Sequence, residues 1–178
     1  MGTVKWGILG AAKIAKEQVI PAMKKSKNTE LYAIASRDIS KAEDFCHKFA
    51  ITKAYDDYNK LISDPNIDAV YIPLPNHLHV PFSINSLKAG KHVLCEKPIS
   101  ITSDEIFELM QVQKETKKIV SEAFMVRFHP QWTETKKLIQ EGEIGKLNAI
   151  QGLFNYFNTD PNNIRNDVRI GGGGILDI

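Results

Sequence analysis

The chain has 178 residues, 43% of them hydrophobic and 25% charged, with a formal net charge of +2. These values suit one globular domain, or one domain with a piece of another, and exclude wholesale disorder. The lysines are scattered rather than gathered on one face, which argues against a nucleic-acid partner, and no apolar run reaches membrane-spanning length. In chain order, the run TVKWGIL at 3–9 predicts a first strand ending at Gly10, followed by a helix over 12–25 that Pro21 should kink or interrupt. ELYAIAS at 30–36 predicts a second strand. Ser40 and Glu43 form a capping-box pattern opening a helix that turns Ala42, Phe45, Cys46 and Phe49 inward. A short segment at 53–55 and a helix at 58–62 follow, then a strand at 68–73 and a helix capped by Asn76 that stops at Gly90. HVLC at 92–95 is a further strand. Thr102 and Glu105 form a second capping box before a helix that runs to the lysines at 117 and 118, and 119–123 closes the alternation.

Strands alternating with helices at this spacing predict an α/β fold, a doubly wound parallel sheet of Rossmann type covered on both faces. The pattern changes near Phe124. A helix over 130–141 with Gly142 as its stop and an aromatic-rich strand over 147–157 place a Rossmann domain at 1–123 and the incomplete start of an α/β substrate domain at 124–178. Cys46 and Cys95 make no metal-type spacing and read as reduced thiols. The opening MGTVKWGILG lacks a signal peptide's layout, so a cytoplasmic protein is expected.

The first strand-to-helix turn, Gly7-Ile-Leu-Gly10-Ala-Ala12-Lys-Ile-Ala15, is where exposed amides and a helix dipole can face a dinucleotide pyrophosphate. Against G-x-G-x-x-G it keeps only Gly10 in strict register, and its small residues fit tight packing as well as phosphate. At the end of the second strand an acid would bind ribose hydroxyls, whereas an arginine accepts a 2′-phosphate. Here Ser36-Arg37-Asp38 stand, which favours NADP(H) over NAD(H); a solvated loop arginine is the bland alternative. Glu96, Lys97 and Pro98 follow the strand at 92–95, at the carboxyl end where α/β proteins keep ligand groups. Pro98 would fix the backbone there, at a bond type where the cis form is accessible. His77 and His79 lack an evident third ligand, so no metal is expected. His129 reads as a helix cap; Trp6, Phe124, Phe128 and Trp132 read as packing.

The segments WGILGAAKIA, ASRD, PNHLH, CEKP, EAFMVRFHP and GGGGILDI, in this order and spacing, resemble the glucose–fructose oxidoreductase/inositol dehydrogenase/rhizopine-catabolism (Gfo/Idh/MocA) family, most of all its NADP-linked dihydrodiol and D-xylose dehydrogenases. The resemblance covers essentially the whole chain. It implies a Rossmann domain followed by an α/β domain with a large open sheet, the substrate lying between them. It assigns Gly10, Ala11, Ala12, Lys13 and Ile14 to the pyrophosphate turn and Ser36 and Arg37 to the 2′-phosphate. Leu74, Pro75, Asn76 and His79 fall on the nicotinamide-ribose side, Glu96 and Lys97 on the cofactor and substrate, and Arg165 near the cofactor. Asp177 matches the acid of a Lys–Asp–His/Tyr set whose His or Tyr would lie four residues on, beyond Ile178, so the sequence reads as an N-terminal fragment. The expected reaction is hydride transfer between nicotinamide and a carbinol carbon of a sugar, polyol or cyclic diol, with Lys97 orienting the oxygen and Asp177 beside it. A homo-oligomer is expected of the parent protein. The competing reading is a nucleotide-binding regulatory module or inactive relic without turnover.

Overall fold

The computed structural model describes residues 2–155, 157–160 and 163–173. Six parallel strands form one sheet in the order β3-β2-β1-β4-β5-β6: β1 (Val4–Leu9), β2 (Thr29–Ala35), β3 (Lys53–Tyr55), β4 (Ala69–Ile72), β5 (His92–Cys95) and β6 (Val120–Glu122). The order reverses between β1 and β4, so the helical crossovers leave the sheet on opposite faces and open a crevice at the strand carboxyl ends. One face carries α1 (Ile20–Lys25) and α2 (Ile39–Phe49), which close Ile20, Ala42 and Phe45 over Ile8, Ile34 and Tyr71. The other carries α3 (Tyr58–Ile62), α4 (His79–Lys88) and α5 (Ser103–Thr116), whose Leu61, Val80, Ile84, Leu87 and Leu109 cover Leu9, Val70, Ile72 and Val93. The central strands are thus apolar on both sides, as a doubly covered parallel sheet requires. α6 (Pro130–Gln140) follows outside the sheet.

Several local expectations change in detail. The helix after β1 is not simply kinked at Pro21. Residues Ala15–Val19 form a π-helical turn and Pro21 sits in the first turn of α1. Proline offers no N–H to the carbonyl four residues back and its ring crowds that carbonyl, a conflict that a wider turn upstream relieves. The box expected of Ser40 and Glu43 is not used: Asp38 caps α2, accepting from the Ser40 amide at 3.2 Å, because the helix begins at Ile39. The Thr102–Glu105 box does form, with Glu105 Oε2 receiving the Thr102 amide and Thr102 Oγ1 the Glu105 amide. Asn76 opens a short 3-10 turn, Asn76–Leu78, rather than capping α4, and its side chain is committed elsewhere. The strand expected over 147–157 is absent among the described residues of that stretch, where Ile150, Leu153 and Phe157 are exposed. Alternation marks two faces, but a strand also needs a neighbour to receive its hydrogen bonds. Phe128 and Trp132, read as packing residues, are likewise exposed, at 80% and 54%.

Candidate functional site

The crevice at the strand carboxyl ends is a cleft of about 500 Å³. Its first wall is the β1 turn. Gly10 adopts φ +113° and its amide donates to the Ala35 carbonyl at 2.8 Å; a Cβ there would lie 3.0 Å from Leu74 Cδ2. A side chain is therefore disfavoured by conformation and by space, and the backbone is left bare at the start of the helix. Ala12, Lys13 and Ile14 line the cleft from this turn, joined by Glu17. One strand over, Ser36 and Arg37 follow the end of β2 at Ala35. Ser36 is buried, its hydroxyl accepting the Asp38 amide at 3.3 Å, whereas Arg37 is exposed.

The second wall follows β4. Pro73, Leu74 and Asn76 line it, with Pro75 next to them. His79, 1% exposed, borders the cleft but presents its ring nitrogens to the main chain: Nδ1 lies 2.6 Å from the Pro98 carbonyl and Nε2 2.7 Å from the Leu74 carbonyl. Carbonyl oxygens only accept, so both contacts are hydrogen bonds when both nitrogens carry protons. The ribose contact expected of His79 is therefore not available to its nitrogens in this arrangement. Its ring instead ties the segment after β4 to the segment after β5.

Glu96 and Lys97 extend β5 into the cleft, and the Lys97–Pro98 peptide is cis. Glu96 is buried; its Oε1 accepts the Tyr71 hydroxyl at 2.6 Å and its Oε2 the Lys97 amide at 3.3 Å. Cys95, facing the opposite layer, is pushed up to about 12 by burial and is an inert thiol. Met125, Arg165 and Gly171 to Gly173 complete the cleft from the far end of the chain. The Asn76 amide donates to the Gly171 carbonyl at 2.8 Å, and Gly171, at φ +84°, has Ile101 Cδ1 only 2.7 Å from where a Cβ would stand. Asp177 lies outside the described residues.

The fold thus brings Ala12 to Ile14, Leu74, Asn76, His79, Glu96, Lys97 and Arg165 together around one opening, with Gly10, Ala11 and Pro75 adjoining them in the chain; Ser36 and Arg37, which follow β2, are not among the lining residues. Sequence reasoning missed Glu17, Pro73, Met125 and the glycine latch. The glycine run was visible in the segment GGGGILDI, but no local pattern pointed it at Asn76. Among the described residues no group of three or more His, Cys, Asp or Glu side chains could hold a metal ion.

Residues 4–124 match the family model of the oxidoreductases with an NAD-binding Rossmann fold, Gfo/Idh/MocA. The chain belongs to the Gfo/Idh/MocA oxidoreductase family. Similar family members include an uncharacterized oxidoreductase of Rhizobium meliloti, 47% identical over 178 residues, which are 100% of this chain and 53% of that protein. The D-xylose 1-dehydrogenase (NADP(+)) 2 of Haloferax volcanii is 38% identical over 97% of this chain and 53% of its own length. A crystal structure of KijD10, a 3-ketoreductase from Actinomadura kijaniata in complex with NADP and TDP-benzene, superposes with a TM-score of 0.93 at 34% identity, covering 99% of this chain and 54% of that one. The chain spans about half the length of the curated relatives it matches.

Proposed function

We propose that the chain supplies the cofactor half of an NADP-linked oxidoreductase that moves a hydride between nicotinamide and a carbinol carbon of a sugar, polyol or cyclic diol. The observation that carries this reading is the cleft at the sheet's switch point, where a bare glycine turn, a buried carboxylate and a lysine converge. The residues present fit a dinucleotide. Gly10 lets the backbone approach a pyrophosphate at a helix start, with Lys13 beside it, while Ser36 and Arg37, just past the end of β2, would meet the 2′-phosphate. Leu74, Pro75 and Asn76 would border the nicotinamide ribose, Glu96 would offer it an acceptor, and Arg165 would stand near the cofactor from the far side. When bound, the nicotinamide ring gives or takes the hydride. Lys97 would hold the substrate oxygen and stabilise its developing negative charge, and Asp177 would stand with it. His79 would act by holding both loops in place.

The KijD10 complex with NADP and the NADP-linked xylose dehydrogenase support this cofactor and substrate class. The parent protein would be a cytoplasmic homo-oligomer. The test is a titration of the chain with NADPH, followed by nicotinamide fluorescence, alongside NADH. NADPH is expected to bind more tightly, and Arg37→Asp to abolish that preference by opposing the 2′-phosphate. Absence of binding by either nucleotide to folded protein removes the reading. Turnover is tested with NADP+ and a polyol and sugar panel in a chain extended to the length of its relatives, where Lys97→Ala should reduce kcat at least a hundredfold.

A further inference from the structure

Strand β4 contains one residue that no reading of the motifs singles out. Tyr71 is 0% exposed and belongs to the same buried core cluster as Ile8, Ile34 and Ala15. A phenol in such a place would normally be replaced by a phenylalanine unless its hydroxyl had a partner, since an unpaired buried hydroxyl is destabilising. The partner is Glu96 Oε1, at 2.6 Å. The strand pleat explains the meeting. Tyr71 pairs with Leu94 across β4 and β5, and Glu96, two residues further on, emerges on the same face.

We propose that Tyr71 is a positioning residue for the cleft: it fixes the Glu96 carboxylate so that its remaining lone pairs are turned toward a hydrogen-bond donor on the nicotinamide half of the dinucleotide. Among the described residues the carboxylate has two anchors, the Tyr71 hydroxyl on one oxygen and the Lys97 amide on the other, and it belongs to a residue that lines the cleft. The tyrosine can only donate in this arrangement. Burial, and then the hydrogen bond to Glu96 and the charge of that carboxylate, hold its phenol well above its ordinary range, so it stays protonated. Glu96 and Arg37 follow the ends of β5 and β2, strands that lie on opposite sides of β1 and β4, three strand spacings or about 14 Å apart. Loss of the tyrosine hydroxyl therefore acts at one end of the bound molecule and not at the other.

This inference rests on the dinucleotide reading, and the experiment separates the two. NADPH and adenosine 2′,5′-bisphosphate, which lacks the nicotinamide half, are titrated against wild type, Tyr71→Phe, Glu96→Gln and the double variant. Tyr71→Phe should weaken NADPH about tenfold, the scale of one hydrogen bond to a charged group. It should leave the bisphosphate unchanged, and the double variant should bind NADPH no worse than Glu96→Gln alone. Equal weakening of both ligands, multiplicative effects in the double variant, or a Tyr71→Phe protein that binds NADPH like wild type would each overturn the role of Tyr71. Wild type that binds neither ligand overturns the dinucleotide reading itself, and this inference with it. Should Tyr71→Phe fail to fold, the Tyr71 hydroxyl proton is followed by NMR in Glu96→Gln. It should move upfield as a carboxylate acceptor becomes a neutral amide, and an unmoved signal refutes the pairing.

Discussion

At the scale of single residues, the cleft depends on groups that hold other groups. His79 offers a clear case, because its ring is the partner of two main-chain carbonyls belonging to different loops. In His79→Ala each carbonyl that the ring bonds loses its donor, and each buried orphan destabilises by about 1–3 kcal/mol. A urea titration should therefore show a loss of a few kcal/mol in unfolding free energy; a loss under about 0.5 kcal/mol would mean the ring is dispensable. Gly171 gives the opposite signature. A methyl group there meets Ile101, and the positive φ disfavours any side chain, yet the residue lies at the margin of the fold. Gly171→Ala should shift the tail off Asn76, weakening NADPH binding severalfold while leaving the melting temperature within a degree or two. A drop of many degrees would contradict the latch description.

At the scale of elements, local chemistry carried most of the reading. The four longer strands were visible within a residue or two, because continuous apolar runs bounded by glycine, proline and charge have few other solutions in a parallel sheet. Thr102 and Glu105 could be recognised as a cap because every partner lies within four residues. Asp38 was passed over because the cap was sought two residues later, at Ser40, where a serine–glutamate pair imitates the pattern. Asp38→Ala should lower stability by about 1 kcal/mol in thermal unfolding, whereas Ser40→Ala should do less, since Ser40 gives its hydroxyl to Asp38 rather than receiving the helix amide. The stretch at 147–157 misled for a different reason. Its alternation is real, but pairing is a property of two segments and cannot be read from one. The same holds inside the site, where Gly10, Glu96 and Lys97 announced themselves, while Tyr71 meeting Glu96 and Asn76 meeting Gly171 are encounters across 25 and 95 residues.

At the scale of the whole molecule, the sheet has two ends with different work. The carboxyl ends of the strands hold the cleft, and the opposite end is fastened by Asp64. Its carboxylate accepts from Lys53 at 3.1 Å, from Tyr55, and from the Asn66 amide at 2.9 Å, while Lys91 donates to the Asp64 and Ile67 carbonyls at 2.7 and 2.8 Å. Edge strand β3, the turn before β4 and the start of β5 are joined in this way. Burial by itself would raise the Asp64 carboxyl, but the bonds from Tyr55, Asn66 and Lys53 outweigh it and hold it well below the usual carboxylate range. A carboxyl lowered in the folded state binds its proton more readily when unfolded. Its stabilising share is thus complete above the ordinary value near pH 4 and is lost as acid is added below it. Asp64→Asn should flatten the fall in melting temperature between about pH 4 and pH 2 and leave NADPH affinity at neutral pH unaltered; an unchanged acid profile would rule out this assignment.

The pleat of β5 has one more implication. Cys95 turns into the layer of Leu109 and Val112, and Glu96 into the layer of Tyr71. Deleting a single residue between His92 and Cys95 would therefore roll the strand's tip over, sending a carboxylate among leucines and a thiol toward the phenol. Hydrophobic content would hardly change, yet the molecule would lose its cleft chemistry and much of its core together. Variation in this strand should consequently be limited to exchanges of side chain, never of length.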